Sequence, residues 1–83
     1  MMKDPQFAAE YEELRPEYEI VKAMIVGRRE KGMTQQDLAV ATGIPQGHIS
    51  RIENASYNPS VALLKRIAAG LGKELHISFL RRG

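Results

Sequence analysis

Apolar positions recur at helical spacing along most of the chain, and prolines and glycines cut that pattern into segments. Asp4 before Pro5 reads as an N-cap followed by a first-turn proline. Phe7, Tyr11 and Leu14 then share one stripe, which predicts a short helix to about Leu14. Pro16 is a second first-turn proline, followed by Glu17 and Glu19 where the helix dipole favours acid. Ile20, Val21, Met24, Ile25 and Arg28 fall at i, i+1, i+4, i+5 and i+8, one face of an amphipathic helix ending at Gly32.

Thr34 reads as the next N-cap, with Asp37 three residues on in the place of the capping-box acid. Leu38 and Ala39 face inward, and Gly43 stops that helix after about two turns. Another short helix is expected from about Pro45 to Asn54, carrying Ile49 and Ile52 inward. Residues 54–59 form a polar loop, and Ser60 caps a last helix with Val61, Leu64, Ile67, Ala68 and Leu71 on its inner face. Gly70 and Gly72 end it.

From Leu75 to Phe79 the period changes to two, the alternation of a half-buried strand. A lone strand must satisfy its backbone groups somewhere, and the economical partner is the same strand of a second copy. Leu75, Ile77 and Phe79 are therefore expected to form a strand that pairs across a homodimer. The fold class is all-α: five helices, the first an addition at the N-terminus, plus this short C-terminal β-strand. Three parts follow: an acidic N-terminal helix over 1–15, a helix-turn-helix domain over 16–73, and a strand and tail over 74–83.

Size and composition narrow the function. An 83-residue chain with 6% aromatic residues and no cysteine has a small core that buries only about 60% of its unfolded surface. It has no disulfide staple, Cys-based zinc site or cysteine nucleophile. Its charged start lacks an apolar signal region, and its apolar runs fall short of the ~20 residues that cross a bilayer. A cytoplasmic, nucleoid-associated protein is expected. The net charge of +2 hides an asymmetry: residues 1–20 hold six acids against two bases, and the remainder ten bases against four acids. A basic body attracts phosphate, whereas an acidic lead segment repels it.

Residues 35–54, QQDLAVATGIPQGHISRIEN, place a helix, a glycine turn and a second helix at the spacing of a DNA-reading helix-turn-helix. Ala39 is small where the second helix crosses, Gly43 takes the positive φ of the turn, and Ile44, Ile49 and Ile52 lock the pair. From Met33 to Leu71 the sequence, with its I-S-R-I-E-N run and N-P-S loop, resembles the Cro/cI-like (XRE) helix-turn-helix family. That resemblance implies a lambda-repressor-like domain. It makes Gln46, Gly47, His48, Ser50 and Arg51 groove-facing, and Gln35 a phosphate contact that braces Gln46. It puts Asn54, Tyr57 and Asn58 against the DNA backbone, and ties Arg28 to Glu53 in a partly buried structural ion pair.

Side-chain chemistry agrees. Gln pairs bidentately with adenine and Arg with guanine, so Gln46 and Arg51 are the expected base readers, with Gly47 and His48 beside them as further base contacts. Gln35, Ser50 and Tyr57 can hold phosphate without reading sequence. Pro45 stands where the family usually caps with Ser or Thr, Gly47 where it usually has a reading side chain, and Thr42 at a usually apolar position.

His48 and His76, the two histidines, are too far apart for an evident metal site or triad, and Met24 and Met33 read as core fillers. With no phosphate loop, paired catalytic carboxylates or HExxH helix, the chain reads as a non-enzyme without cofactor. The partner expected is double-stranded DNA bearing a palindromic operator. The lead segment, motif and terminal strand together resemble HigA-type antitoxins, which implies a RelE/HigB-like toxin as a protein partner; the tail also resembles HipB-type antitoxins. The function expected is a transcriptional repressor that autoregulates a type II toxin-antitoxin operon. A stand-alone phage-type or restriction-controller repressor, and a protein-interaction module without DNA readout, stay open, and a small-ligand response lacks room in so small a core.

Overall fold

A computed structural model describes residues 15–81, so the helix expected before Leu14 lies outside the described residues. Four helices follow one another: α1 Arg15–Glu30, α2 Gln35–Thr42, α3 Gln46–Glu53 and α4 Val61–Gly70. The predicted caps explain two of the starts. Thr34 accepts from the Asp37 amide at 3.0 Å while Asp37 accepts from the Thr34 amide at 2.9 Å, a full capping box despite the shorter acid. Ser60 likewise accepts from the Leu63 amide at 3.1 Å.

Every one of these helices ends on a residue in the left-handed region. Gly32 (φ 66°), Ala55 (φ 65°) and Gly72 (φ 71°) each follow the paired bonds of a Schellman motif. Those bonds are Met33 to Arg28 at 2.8 Å with Gly32 to Arg29 at 3.1 Å, Ser56 to Arg51 at 2.9 Å with Ala55 to Ile52 at 3.1 Å, and Lys73 to Ala68 at 2.8 Å with Gly72 to Ala69 at 3.0 Å. After α2, Gly43 (φ 74°) makes the simpler single bond to Ala39. Only at Ala55 does a side chain occupy this conformation, which costs an L-residue roughly 1–2 kcal/mol.

The core is one cluster of Met24, Leu38, Ala39, Ile44, Ile49, Ile52, Ile67 and Leu71, with Ile20, Met33 and Leu63 packed against it. Val21 and Ile25, read as inward, are half-buried. The inner face of α4 follows the periodicity reading except at its first position: Ile67 and Leu71 are buried and Leu64 and Ala68 half-buried. Val61 is 56% exposed, and the row Leu63, Ile67, Leu71 faces the core. Gly70 sits close against α2: a Cβ there would lie 2.5 Å from Thr42 Cγ2 and 3.4 Å from Leu38 Cδ1. Its missing side chain lets α4 rest on the end of α2, and so Gly70 is a packing residue as well as part of the helix end.

Beyond Gly72 the described chain has no regular secondary structure. The strand expected through Leu75, Ile77 and Phe79 is not formed within the single chain, because no other described segment offers it a strand to pair with. Leu75 is half-buried, but Ile77, Phe79 and Leu80 are exposed.

Candidate nucleic-acid interface

The α2–α3 pair is built from its turn outward. Thr42 donates its hydroxyl to the Leu38 carbonyl at 2.7 Å and accepts from the Ile44 amide at 3.2 Å, so it satisfies groups at the turn that an apolar residue would leave open. Arg66 reaches across from α4 and donates to the Thr42 carbonyl at 2.8 Å. A cation at the C-terminal end of α2 is favoured by the helix dipole, which gives Arg66 a defined role at the turn. Sequence periodicity has no signal for either contact.

Ile49, Ile52 and Glu53 on α3 are buried, and the remaining face carries Gln46, Gly47 and Arg51 exposed with His48 and Ser50 half-buried. Asn54, Tyr57 and Asn58 are exposed in the following loop, and Gln35 at the start of α2 is half-buried. Pro45 occupies the cap position of α3 without a side-chain cap, and its carbonyl accepts from the His48 and Ile49 amides at 3.0 and 3.2 Å. Nothing lies within 4 Å of where a Gly47 Cβ would stand, so packing within the chain does not require glycine there.

Arg28 and Glu53 form a two-point contact, Nε to Oε2 and Nη2 to Oε1, both 2.8 Å. Their side chains are 15% and 5% exposed. Arg28 also donates to the Met33 carbonyl at 3.0 Å, fixing the bend after α1. Hydrogen bonding to Glu53 raises the Arg28 guanidinium above its ordinary pKa, against the opposing effect of burial. Glu53 has a third contact: the Gln35 side-chain amide donates to its Oε1 at 3.0 Å. The carboxylate thus offers Gln35 a charged acceptor at the foot of α2. One N–H of the Gln35 amide stays available.

The loop after α3 is held by its own bonds. Asn54 Oδ1 accepts from the Ser56 amide at 3.1 Å, and the Ser56 hydroxyl donates to the Arg51 carbonyl at 3.2 Å. The chain thereby doubles back along α3, and the Tyr57 ring meets the His48 ring with centroids 4.7 Å apart and planes tilted by 49°. This contact between residues nine apart is invisible to sequence reading, which takes the two as separate contacts. The described residues hold no helix long and apolar enough to cross a membrane.

Comparison with known proteins agrees with this geometry. The helix-turn-helix family profile matches residues 27–77. An "uncharacterized HTH-type transcriptional regulator" of Haemophilus influenzae is 37% identical over 62 residues, covering 75% of this chain and 63% of that protein. A protein of the same description from Methanothermobacter thermautotrophicus is 43% identical over 47 residues, covering 57% of this chain and 68% of its own length. The "ImmF control region 10 kDa protein" of Bacillus phage phi105 is 38% identical over 50 residues, covering 60% of this chain and 56% of the phage protein. The match thus spans less than two-thirds of the Haemophilus and phage proteins. No solved structure gives a significant match. A family match over more than half of the chain, on a structure with the paired helices α2 and α3, leads to one conclusion: the chain belongs to the Cro/cI-like, XRE-type helix-turn-helix family.

Proposed function

We propose that this chain is a sequence-specific, double-stranded-DNA-binding transcriptional repressor that acts as a homodimer in the cytoplasm, on the nucleoid. The observation that carries the reading is α3 itself: its apolar residues are buried while Gln46 and Arg51, side chains that can pair with base edges, are exposed. In this reading Gln46, Gly47, His48 and Arg51 meet bases, and Gln35, Ser50, Asn54, Tyr57 and Asn58 meet phosphate. Two copies place their α3 helices about 34 Å apart in successive major grooves of a palindromic operator, where they exclude polymerase. Pairing of residues 75–79 between copies supplies the twofold axis.

The finer reading is the antitoxin of a type II toxin-antitoxin module that autoregulates its operon. It rests on the resemblance of the lead and tail segments to HigA-type antitoxins and on the charge asymmetry, since the acidic segment 1–15 suits the basic surface of a RelE/HigB-like RNA-cutting toxin. Similarity to the phage control-region protein favours a second reading, a stand-alone phage-type repressor. Selection of bound duplexes from random DNA, repeated with the product of the adjacent gene, tests both. A palindrome is expected from the purified chain alone. Its absence rejects the repressor, and an adjacent gene product that does not bind the chain rejects the antitoxin.

A further inference from the structure

In the assignment above Tyr57 holds phosphate, a sequence-independent task, while His48 faces bases. The two rings are nevertheless in contact, 4.7 Å between centroids and tilted by 49°, within the range of favourable aromatic pairs. Three things fix the Tyr57 side of that pair. The left-handed Ala55 turns the chain, Asn54 Oδ1 holds the Ser56 amide, and Ser56 is bonded twice to the Arg51 carbonyl, by amide and by hydroxyl. The His48 ring, half-buried on α3, meets the Tyr57 ring from the helix side.

An imidazole has one donor and one acceptor nitrogen when neutral, so the base edge it reads depends on how its ring is turned. An imidazole free to turn about its side-chain bonds satisfies several bases equally; one leaning on Tyr57 presents one edge. We propose that Tyr57 is a positioning residue for sequence recognition: it orients the His48 ring on α3 and so sets the base preference at the position His48 meets. The inference rests on the DNA-binding reading of α3 and adds to it that the loop after α3 contributes to specificity.

The test compares binding profiles on a random-sequence duplex library for the full chain and for H48A, Y57A, Y57F and the H48A/Y57A double variant. H48A is expected to relax preference at one base pair in each half-site, and Y57A to relax the same base pair by about two- to tenfold, the span of a ring pair's contribution. The double variant should be no more relaxed there than H48A. Y57F keeps the ring, so its base preference is retained while affinity falls alike on all sequences. Melting curves establish that each variant is folded, as the exposure of Tyr57 leads one to expect. A Y57A profile unchanged at the His48 base pair, or relaxed only elsewhere, overturns the role of Tyr57 and leaves DNA reading intact. A parent chain that enriches no sequence overturns the DNA-binding reading and this inference with it.

Discussion

Glu53, near the end of α3, accepts from Arg28 on α1 through both carboxylate oxygens at 2.8 Å and from Gln35 on α2 through one of them at 3.0 Å. One buried carboxylate thus joins the three helices that frame the reading surface. Removing one partner of a buried pair costs about 3–5 kcal/mol, because the other charge is stranded. Glu53→Ala is expected to lower the melting temperature by more than 10 °C, at roughly 4–8 °C per kcal/mol for a domain of this size, and to weaken DNA binding. Thermal melts check the first effect and titration of selected duplexes the second. The raised Arg28 pKa gives stability that is complete below the unfolded arginine pKa and is lost only as pH climbs through the higher folded value. The contribution of Arg28 ionisation should therefore not vary across the neutral range.

Ala55 carries the one positive φ outside glycine among the described residues. Ala55→Gly removes a strain of roughly 1–2 kcal/mol and adds chain entropy to the unfolded state worth roughly 0.5–1 kcal/mol. A net gain of about 0.5–1 kcal/mol is expected, read as a rise of a few degrees in melting temperature.

Gly70 and Gly47 separate packing from helix propensity. A methyl at Gly70 would press on Thr42 and Leu38, so Gly70→Ala should destabilise by about 1–3 kcal/mol. A methyl at Gly47 meets nothing, so Gly47→Ala should stabilise by up to ~1 kcal/mol. If α3 approaches DNA closely at Gly47, the same change weakens binding. Denaturant unfolding measures the stabilities, and an equal sign for both would show that the close approach at Gly70 is relieved at little cost.

Base reading and phosphate holding also separate by mutation. Arg51→Ala should lose roughly 1–3 kcal/mol on the selected duplex and relax preference at one base position, whereas Gln35→Ala should weaken binding to all sequences alike and flatten the salt dependence. Parallel titrations on selected and random duplexes decide it; equal losses on both for Arg51→Ala would reject its place as a base reader.

The exposed tail bears on assembly. Ile77, Phe79 and Leu80 are 57%, 102% and 88% exposed, and the backbone between them has no ladder among the described residues. Deleting residues 75–83 should shift sedimentation from dimer toward monomer. A truncated chain that stays dimeric would place the contact on another surface.

Much of this was legible in the sequence because helix ends and cores are written locally. Thr34, Asp37, Ser60, Gly32 and Gly43 punctuate the chain as their chemistry requires, and the apolar row Ile44, Ile49, Ile52 fixes which face of α3 turns outward. Contacts between elements were mostly not, the Arg28–Glu53 pair implied by the family resemblance apart. Periodicity puts Val61, which is exposed, on the inner face, and it cannot see the close approach of Gly70 to Thr42. It had no means of joining Arg66 to the turn, Gln35 to Glu53, or His48 to Tyr57. Ala55 escaped notice because a left-handed position without glycine has no compositional mark. A single chain likewise says little about a strand whose partner would be another copy.

The left-handed stops after the four helices share a property that bears on how the domain comes together. Each is closed by hydrogen bonds reaching back no more than five residues, so every element can find its own limits before any distant segment has docked. Little loop-closure entropy is spent on these helix ends, and helical domains rich in such local contacts are among the topologies that fold quickly.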